Sequence, residues 1–394
     1  MRALDRSKNS ISNSGKAMKA IVERAALLKA LSHVSSVVER RTTIPILSYV
    51  KIVAEGGALA LTATDLDIEI IERVAAKICV SGAVTVSAHM LHSVVKRLPD
   101  GSEISIASGE DEDRVSLCAG RSRFQLNRLP AGDFPDMSAS PMTHSFNMPA
   151  RDLIKLIQKT RFASSTDEAR YYLNGVYLHA ARSGAGAVLR AVATDGHRLA
   201  QADVPLPPGA EGTPGIIASR KTAAELLKLA GDAGGDLGVE LSSTKIRVTI
   251  GAPDAPLIVF TSKLIDGAFP DYGRVFPQDC DKTLSVAAGE FARAVDRVST
   301  LASDNGRPVK FSISSGQLTL STNNLDSGSA VEELPAGYDG PPLEIGFNSR
   351  YALDIASEIE GENIVLALAN SSTPAVIKDD GDGSVLYVLM PMRI

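Results

Sequence analysis

The strongest constraint on the fold is an internal repeat, because the chain contains a similar short segment three times. The copies recur at intervals of about 130 residues: Ala63-Thr64-Asp65-Leu66, Ala193-Thr194-Asp195-Gly196 and Ser321-Thr322-Asn323-Asn324. Repetition on this scale predicts one folded domain present in three copies. The length of 394 residues is too great for a single core and accommodates three domains of ordinary size.

Each copy follows the same order of elements. Apolar residues with helical spacing predict a first helix at Glu23–Val38, Ala150–Arg161 and Gly289–Leu301. A second helix is predicted to begin at a capping serine, at Ser87–Leu98, Ser219–Ala230 and Ser349–Glu360. Predicted strands between and after the helices include Ala58–Thr62, Glu103–Ala107, Val188–Ala193, Leu237–Leu241, Gln317–Ser321 and Asn363–Ala369.

Two helices and several strands per copy predict an α+β fold, with the helices on one face of an antiparallel sheet. Parallel βαβ units are the alternative, and the close strand-turn-strand spacing after each second helix disfavours them. Proline-rich turns separate the copies, so the predicted domains are 18–142, 143–281 and 282–394. The polar residues 1–17 lack the apolar core of a signal peptide and are interpreted as a disordered extension or tag.

Charge is divided unevenly between the predicted elements. The net charge of −5 by itself counts against a nucleic-acid-binding protein. The predicted helices nevertheless carry an excess of Lys and Arg, so the remainder is acidic. One surface would then attract phosphate, although lysine on helix surfaces is equally explained by helix propensity.

Composition also indicates where the protein resides. Apolar residues make up 44% of the chain, without a run long enough to span a membrane. The three cysteines are widely separated and form no CxxC motif. This pattern predicts reduced thiols and a cytoplasmic protein.

Longer motifs make the sequence resemble a known family. They occur in order from Met18 to the C-terminus, and include Pro45-Ile46-Leu47, Arg170-Tyr171-Tyr172-Leu173-Asn174-Gly175, Ala193-Thr194-Asp195-Gly196-His197-Arg198-Leu199, Phe260-Thr261-Ser262-Lys263-Leu264 and Tyr387-Val388-Leu389-Met390-Pro391-Met392-Arg393-Ile394. On these residues the chain resembles the bacterial DNA polymerase III beta subunit, the sliding clamp.

The resemblance implies three clamp domains per chain and a head-to-tail homodimer that forms a ring of six domains. Helices would line the hole, through which double-stranded DNA passes without being read for sequence. The implied function is to tether the replicative polymerase and make it processive, with no catalysis, cofactor or metal of its own. The implied partners are the DNA polymerase III alpha subunit, the clamp loader, and other polymerases and repair proteins that bind through short linear peptides.

The resemblance also nominates residues for three surfaces. The DNA surface would comprise Lys29, Arg41, Lys96, Arg170, Tyr171, Tyr172, Arg220 and Lys221. The partner-peptide cleft would comprise Leu173, Thr194, Gly196, His197, Arg198, Leu199, Pro270, Arg274, Val275, Val388, Leu389, Met390, Pro391, Met392 and Arg393. The dimer interface would comprise Phe124, Leu126, Thr300 and Leu301.

The residue types suit these roles. Lys and Arg pair with phosphates without reading bases, although the acidic segment Thr166-Asp167-Glu168 departs from what a loop beside phosphate should carry. Leu, Val and Met form an apolar slot that adapts to varied side chains, and Arg198, Arg274 and Arg393 would hold polar parts of a peptide at its rim. Met390 and Met392, or Phe124 and Leu126, are alternatively ordinary core residues.

A three-domain hydrolase that uses Asp195 and His197 is the alternative from a different functional class. The equivalent positions in the other copies, Asp65 and Asn323, bring no histidine at the same offset. A turn held by an Asx-type hydrogen bond is therefore the preferred interpretation of this segment. A peptide-binding scaffold without a nucleic-acid partner is the other alternative.

Overall fold

The computed structural model describes residues 18–108, 113–137, 141–184, 186–252, 255–303 and 307–393. The predicted extension at 1–17 and the terminal Ile394 lie outside this part of the chain. Contacts divide the chain into two compact units. The first comprises the chain up to Met142 with Leu237–Val239 and Lys245–Lys263, and the second comprises Thr143–Asp236, Glu240–Thr244 and the chain from Leu264 onward.

The described helices and strands are these. The helices are α1 (Arg24–Val34), α2 (Ala88–Arg97), α3 (Ala150–Arg161), α4 (Arg220–Gly231), α5 (Ala288–Ser299) and α6 (Ser349–Ala356). The strands up to the second repeat are β1 (Lys19–Glu23), β2 (Tyr49–Glu55), β3 (Ala58–Thr64), β4 (Ile68–Ala75), β5 (Lys77–Val80), β6 (Gly82–Ser87), β7 (Glu103–Ser108), β8 (Arg114–Ala119) and β9 (Ser122–Asn127).

The remaining strands belong to the second and third repeats. They are β10 (His144–Pro149), β11 (Gly175–Ser183), β12 (Gly186–Thr194), β13 (Arg198–Pro205), β14 (Ile216–Ser219), β15 (Asp236–Leu241), β16 (Lys245–Ala252), β17 (Ala255–Lys263), β18 (Lys282–Ala287), β19 (Pro308–Ser314), β20 (Gln317–Asn324), β21 (Gly328–Pro335), β22 (Leu343–Asn348), β23 (Asn363–Leu368), β24 (Ala375–Asp379) and β25 (Val385–Leu389).

In the first unit, a five-stranded sheet has the order β5-β1-β7-β8-β9, and a second ladder runs β16-β17-β4-β3-β2-β6. In the second unit, an eight-stranded sheet has the order β14-β11-β12-β13-β25-β24-β23-β18, and a four-stranded sheet has the order β21-β20-β19-β22. Every described pairing is antiparallel, for example β2 with β3, β13 with β25 and β20 with β21. The predicted α+β class is therefore confirmed, and the parallel alternative is wrong.

Each ladder is completed by a strand from the next repeat. β17 of the second repeat pairs with β4 of the first, with Phe260 opposite Ile70. β25 of the third repeat pairs with β13 of the second, with Tyr387 opposite Ala200. Successive repeats thus share a sheet, an arrangement that the sequence pattern did not predict.

The helices occupy the predicted places with small differences. α3 has the predicted limits, whereas α1 ends at Val34 instead of Val38. The Ser36 hydroxyl donates to the His33 carbonyl oxygen, and such local hydrogen bonds compete with helix continuation. The adjacent β-branched Val37 and Val38 also favour helix less.

Only one of the three predicted serine caps forms its side-chain hydrogen bond. Ser219 accepts a hydrogen bond from the backbone N–H of Thr222 at the start of α4. At α6 the cap is Asn348, which accepts from the N–H groups of Arg350 and Tyr351. The Ser87 side chain makes no capping bond at α2.

The repeated segments form the predicted turns. Asp65 Oδ1 accepts from the N–H of Ile68 at 2.7 Å, and Asp195 Oδ1 accepts from the N–H of Arg198 at 3.0 Å. In the third repeat Asn324, one residue later than predicted, accepts from the N–H of Asp326. Within the described residues, no helix is long and apolar enough to cross a membrane.

Candidate functional site

An apolar floor lies where the second and third repeats share their sheet. Leu199 on β13 is opposite Val388 on β25, and both pack with Val192 of β12 at 1% exposure or less. Phe269, Tyr272 and Phe276, which are partly exposed, pack against this cluster. Sequence reasoning named Leu199 and Val388 as part of an apolar slot, and in the structure their side chains are fully buried.

An aromatic wall borders this floor. The rings of Tyr177 and Phe269 stack with centroids 4.8 Å apart, and His179 Nε2 lies 2.9 Å from the Tyr272 hydroxyl. Burial lowers the pKa of His179, so the neutral ring is favoured. None of these four residues was nominated from the sequence, although the alternation of Tyr177 and His179 along one strand was a usable signal.

A rigid turn between β12 and β13 forms one side of the floor. Thr194 Oγ1 accepts from the N–H of Gly196 and donates to the carbonyl oxygen of Arg198. Gly196 adopts φ +89°, where a Cβ would lie 2.9 Å from Nη1 of Arg170. A side chain at Gly196 would therefore require a strained backbone conformation and a shift of the Arg170 side chain. Its counterpart Leu66 adopts φ 77° at some conformational cost.

The C-terminal run lies beside this turn. The N–H of Met390 donates to the carbonyl oxygen of His197 at 3.0 Å, and the N–H of Met392 donates to that of Gly346 at 2.8 Å. Met390 is 38% exposed, while Leu389 is buried and Pro391 and Met392 are intermediate. The exposed methionine is thus held above the apolar floor by backbone hydrogen bonds.

The other nominated cleft residues differ in exposure. Pro270, Arg274, Val275 and Arg393 are exposed, and Arg274 pairs with Asp271 at 2.8 Å. Leu173, however, is 5% exposed at the end of a 3-10 segment, Glu168–Leu173.

Arg198 does not occupy the exposed rim position that was predicted for it. It is 8% exposed, and its guanidinium donates to Asp195 Oδ2 (3.2 Å), Asp354 Oδ2 (2.5 Å) and the carbonyl oxygen of Phe162 (2.8 Å). It also lies over the ring of Tyr351, 4.4 Å from the centroid. Each of its three nitrogens thus donates a hydrogen bond to a group of the same chain.

The same geometry recurs in the first repeat with different chemistry. The N–H of Lys263 donates to the carbonyl oxygen of Asp67, as Met390 donates to His197. Glu69 lies opposite Thr261, in the register that Leu199 and Val388 occupy in the second repeat. Glu69 is 2% exposed, and burial raises its pKa. The floor of this counterpart is polar, so the apolar slot is a property of the second copy.

Exposed cations lie on the helices of both units. In the first unit Lys29 on α1, Arg41 in the loop after α1 and Lys96 on α2 are exposed. In the second unit Arg220 and Lys221 are exposed in the first turn of α4. These last two line a surface cavity of about 350 Å³ together with Ser165, Thr166, Tyr171, Asn174, Ser219 and Ile265.

Arg170 differs from the other nominated DNA contacts. Its Nε donates to Asp167 Oδ2 at 3.0 Å, and its Nη1 donates to the carbonyl oxygen of Asp195 at 3.0 Å. The Ala169 N–H and Arg170 together lower the pKa of Asp167, so this carboxylate stays ionised and paired. The acidic segment is therefore partly neutralised locally, and Arg170 ties it to the turn at Asp195. Tyr171 is 53% exposed and remains available.

The residues nominated for a dimer interface lie at element edges. Phe124 and Leu126 are half-buried on β9, the last strand of the five-stranded sheet. Thr300 is exposed just after α5, and Leu301 is half-exposed beside it. Near them in the sequence, β21 is the outer strand of the four-stranded sheet, and its Val331 is 66% exposed. Val331 was not nominated from the sequence.

Comparison with known families matches the chain in three consecutive parts. Residues 18–138 match the DNA polymerase III beta subunit, N-terminal domain; residues 147–271 match the central domain; and residues 273–393 match the C-terminal domain.

Individual relatives match over nearly the full length. The chain is 50% identical over 377 residues to the beta sliding clamp of Caulobacter vibrioides, covering 96% of this chain and 100% of the relative. It is 37% identical over 380 residues to that of Escherichia coli K12, with 96% and 100% covered. Among solved structures, a Bartonella birtlesii sliding clamp bound to griselimycin superimposes with a TM-score of 0.91 at 48% identity, again over 96% and 100%.

Proposed function

The chain belongs to the DNA polymerase III beta subunit family, and from this premise we propose that two copies close into a ring around duplex DNA. The ring is a sliding clamp that tethers the replicative polymerase and gives it processivity. It is a non-catalytic subunit, since tethering requires topology and contacts but no bond making. The observation that carries this conclusion is the ordered match to all three clamp domains on a chain whose fold repeats three times.

The three domains are proposed to span 18–142, 143–281 and 282–394. The repeated turns at Asp65, Asp195 and Asn324 support this division, because each lies at a comparable place within its own copy. The sheets that neighbouring repeats share couple each repeat to the next. A protein that acts on chromosomal DNA in a bacterium is also proposed to be cytoplasmic.

Ring closure is proposed to join β9 of one chain with the β21 edge of its partner. Both are outer strands with unused backbone hydrogen-bonding groups, which readily pair with another chain. Phe124, Leu126, Thr300, Leu301 and Val331 would supply the apolar contact. Because the joined surfaces differ, the contact is head-to-tail, and two such contacts close a dimer.

The DNA surface is proposed to include Lys29, Arg41, Lys96, Tyr171, Tyr172, Arg220 and Lys221. The cavity at the start of α4 supports this assignment, because Arg220 and Lys221 lie beside the N-terminal N–H groups of a 12-residue helix. Positive charge and helix N–H groups both favour phosphate. Arg170 is kept out of this set, because its guanidinium is occupied within the chain.

Replacing Arg220 and Lys221 together with alanine is expected to weaken the salt-dependent attraction of the clamp to duplex DNA. Each lost phosphate contact lowers the slope of log K against log salt by about 1. The measurement is fluorescence anisotropy with duplex DNA between low and physiological salt. Arg182→Ala, which removes an exposed cation from strand β11 instead, is the control and should leave the slope unchanged. An unaltered slope in the double variant would remove these residues from the DNA surface.

The partner cleft is proposed to be the apolar floor at Leu199 and Val388, with Met390, His197 and the aromatic wall above it. The DNA polymerase III alpha subunit, the clamp loader, and other polymerases and repair proteins are proposed to dock there through short peptides. An apolar slot with a flexible methionine at its mouth accepts varied side chains. Thr194 and Gly196 shape the turn, and Pro270, Arg274, Val275 and Arg393 form the rim.

His197→Ala is expected to weaken binding of a peptide from the C-terminus of the polymerase alpha subunit by about fivefold. The ring of His197 stacks with Tyr351 at a centroid distance of 6.1 Å, and such pairs contribute about 1 kcal/mol. Titration of a fluorescent peptide measures the change. Asp195 does not orient this histidine, because its carboxylate binds the backbone of the turn and Arg198. Turnover of any substrate that this substitution abolishes would instead support the hydrolase alternative.

A further inference from the structure

A buried guanidinium lies at the junction of the second and third repeats, at the side of the cleft. Arg198 joins three separate elements: the turn through Asp195, the end of α3 through the carbonyl oxygen of Phe162, and α6 through Asp354. A planar guanidinium can satisfy three acceptors in fixed directions, which an ammonium group cannot do. The three contacts therefore fix α6 relative to the turn.

We call His197 and Tyr351 the two walls of the cleft, distinct from the aromatic wall. Both come from elements that Arg198 connects. His197 projects from the turn, and Tyr351 projects from α6; their rings are nearly parallel, with an angle of 20°. Arg198 lies over the Tyr351 ring at 4.4 Å and over Phe162 at 5.1 Å. Any shift of α6 away from the turn would separate His197 from Tyr351 and widen the cleft.

The first repeat shows that this arginine is not needed to form the turn. Ile68 occupies the equivalent register, since its N–H also donates to the turn aspartate. It is 1% exposed and apolar, yet the backbone N–H groups of the turn make the same three hydrogen bonds to the threonine and aspartate side chains. The arginine in the second repeat therefore serves the connection between repeats and not the local backbone conformation.

We propose that Arg198 is a positioning residue that holds the two walls of the peptide cleft at their binding separation and does not itself contact the peptide. This proposal rests on the proposed cleft and adds the means by which the cleft is kept in shape. A direct ion pair with the peptide would compete with the two carboxylates that the guanidinium already holds, Asp195 and Asp354.

The decisive measurement is the affinity of the dimeric clamp and its variants for a fluorescent peptide from the C-terminus of the polymerase alpha subunit. Arg198→Met is expected to weaken peptide binding about ten- to hundredfold, and Asp354→Asn about three- to tenfold. The double variant should be no weaker than Arg198→Met alone, because both substitutions remove the same link. Arg198→Lys should recover only part of the loss.

Two controls distinguish positioning from direct contact with the peptide. Lys155→Met removes a different link between the same repeats, an ion pair with Asp382 at 2.7 Å, and should leave affinity within about twofold. A peptide whose carboxylates are replaced by amides should lose the same factor on Arg198→Met. If the loss disappears with the amidated peptide, Arg198 contacts the peptide directly and the proposal is wrong.

Other outcomes also decide the question. Wild-type affinity in Arg198→Met would overturn the proposal, and if that variant fails to fold, wild-type affinity in Asp354→Asn would do so. The proposed cleft itself is tested by Met390→Glu. If the wild-type clamp and Met390→Glu bind the peptide equally, the cleft is misplaced, and this result is distinct from any behaviour of Arg198.

Discussion

Leu126→Asp on β9 is expected to convert the dimeric ring into monomers and to abolish its retention on circular DNA. The side chain is half-buried on an outer strand of its sheet, and the proposed contact removes it completely from water. An unpaired carboxylate buried there costs about 3 kcal/mol. A closed head-to-tail dimer contains the contact twice, so the substitution makes ring closure less favourable by about 6 kcal/mol.

Sedimentation at micromolar concentration reports the dimer, and retention on nicked circular DNA after loading reports the ring. Wild-type clamp should remain on the circle and be released when the DNA is linearised, whereas the variant should not be retained. A Leu126→Asp protein that stays dimeric and stays on the circle would exclude β9 from the closure contact.

A second substitution tests the other side of the same contact. Leu126 also lies on a strand whose neighbour places Val115 opposite it, so its replacement could disturb the first domain. Leu301→Asp lies just after α5 in the third domain and should produce the same monomer. Leu257→Asp is the matched control, because Leu257 is 58% exposed on β17, a strand that forms neither proposed edge, and should leave the dimer intact.

Met390→Glu is expected to abolish peptide binding, with an affinity loss of at least about a hundredfold. Met390 is 38% exposed above the floor of Leu199 and Val388. A carboxylate there must be desolvated against apolar side chains when a peptide docks, at a cost of about 3 kcal/mol or more. Because the backbone of Met390 and not its side chain makes the hydrogen bond to His197, the fold should be retained.

Lys263→Glu provides the matched control within the same molecule. Lys263 makes the equivalent backbone hydrogen bond in the first repeat, to Asp67, and is exposed. Its replacement should leave peptide binding within about twofold, because Glu69 and Thr261 make the counterpart floor polar. Titration of a labelled peptide from the alpha subunit distinguishes the two variants. Equal losses would indicate that the peptide does not select the second copy.

Much of the fold was accessible from local patterns. The limits of α3 followed from apolar residues on one helical face, and the turn at Asp195 followed from the hydrogen-bonding capacity of a short acidic side chain. Competition between side-chain and backbone hydrogen bonds at the ends of helices and in turns was harder to predict. α1 ended early where Ser36 bonds its own backbone, and the third turn used Asn324 instead of Asn323. Neighbouring residues of the same type offered no sequence signal to distinguish them.

The candidate site was less predictable, because its parts are distant in sequence. The run from Thr194 to Leu199 and the C-terminal run were named from motifs, and the structure brings them into adjacent strands. Tyr177, Phe269 and Tyr272 were not named, because alternation along β11 shows which residues share a face of the strand but not that this face borders a cleft. Arg198 was named with the wrong exposure, since a sequence does not reveal that Asp354 lies beside it.

The sequence alone determined that one α+β unit occurs three times, because repetition and hydrophobic periodicity are properties of neighbouring residues. Tertiary structure decided which copy carries an apolar slot and what holds it open. Strand β25 places Val388 against Leu199, while β17 places Thr261 against Glu69 in the same register. Those pairings join residues that are far apart along the chain, and only folding brings their side chains into contact.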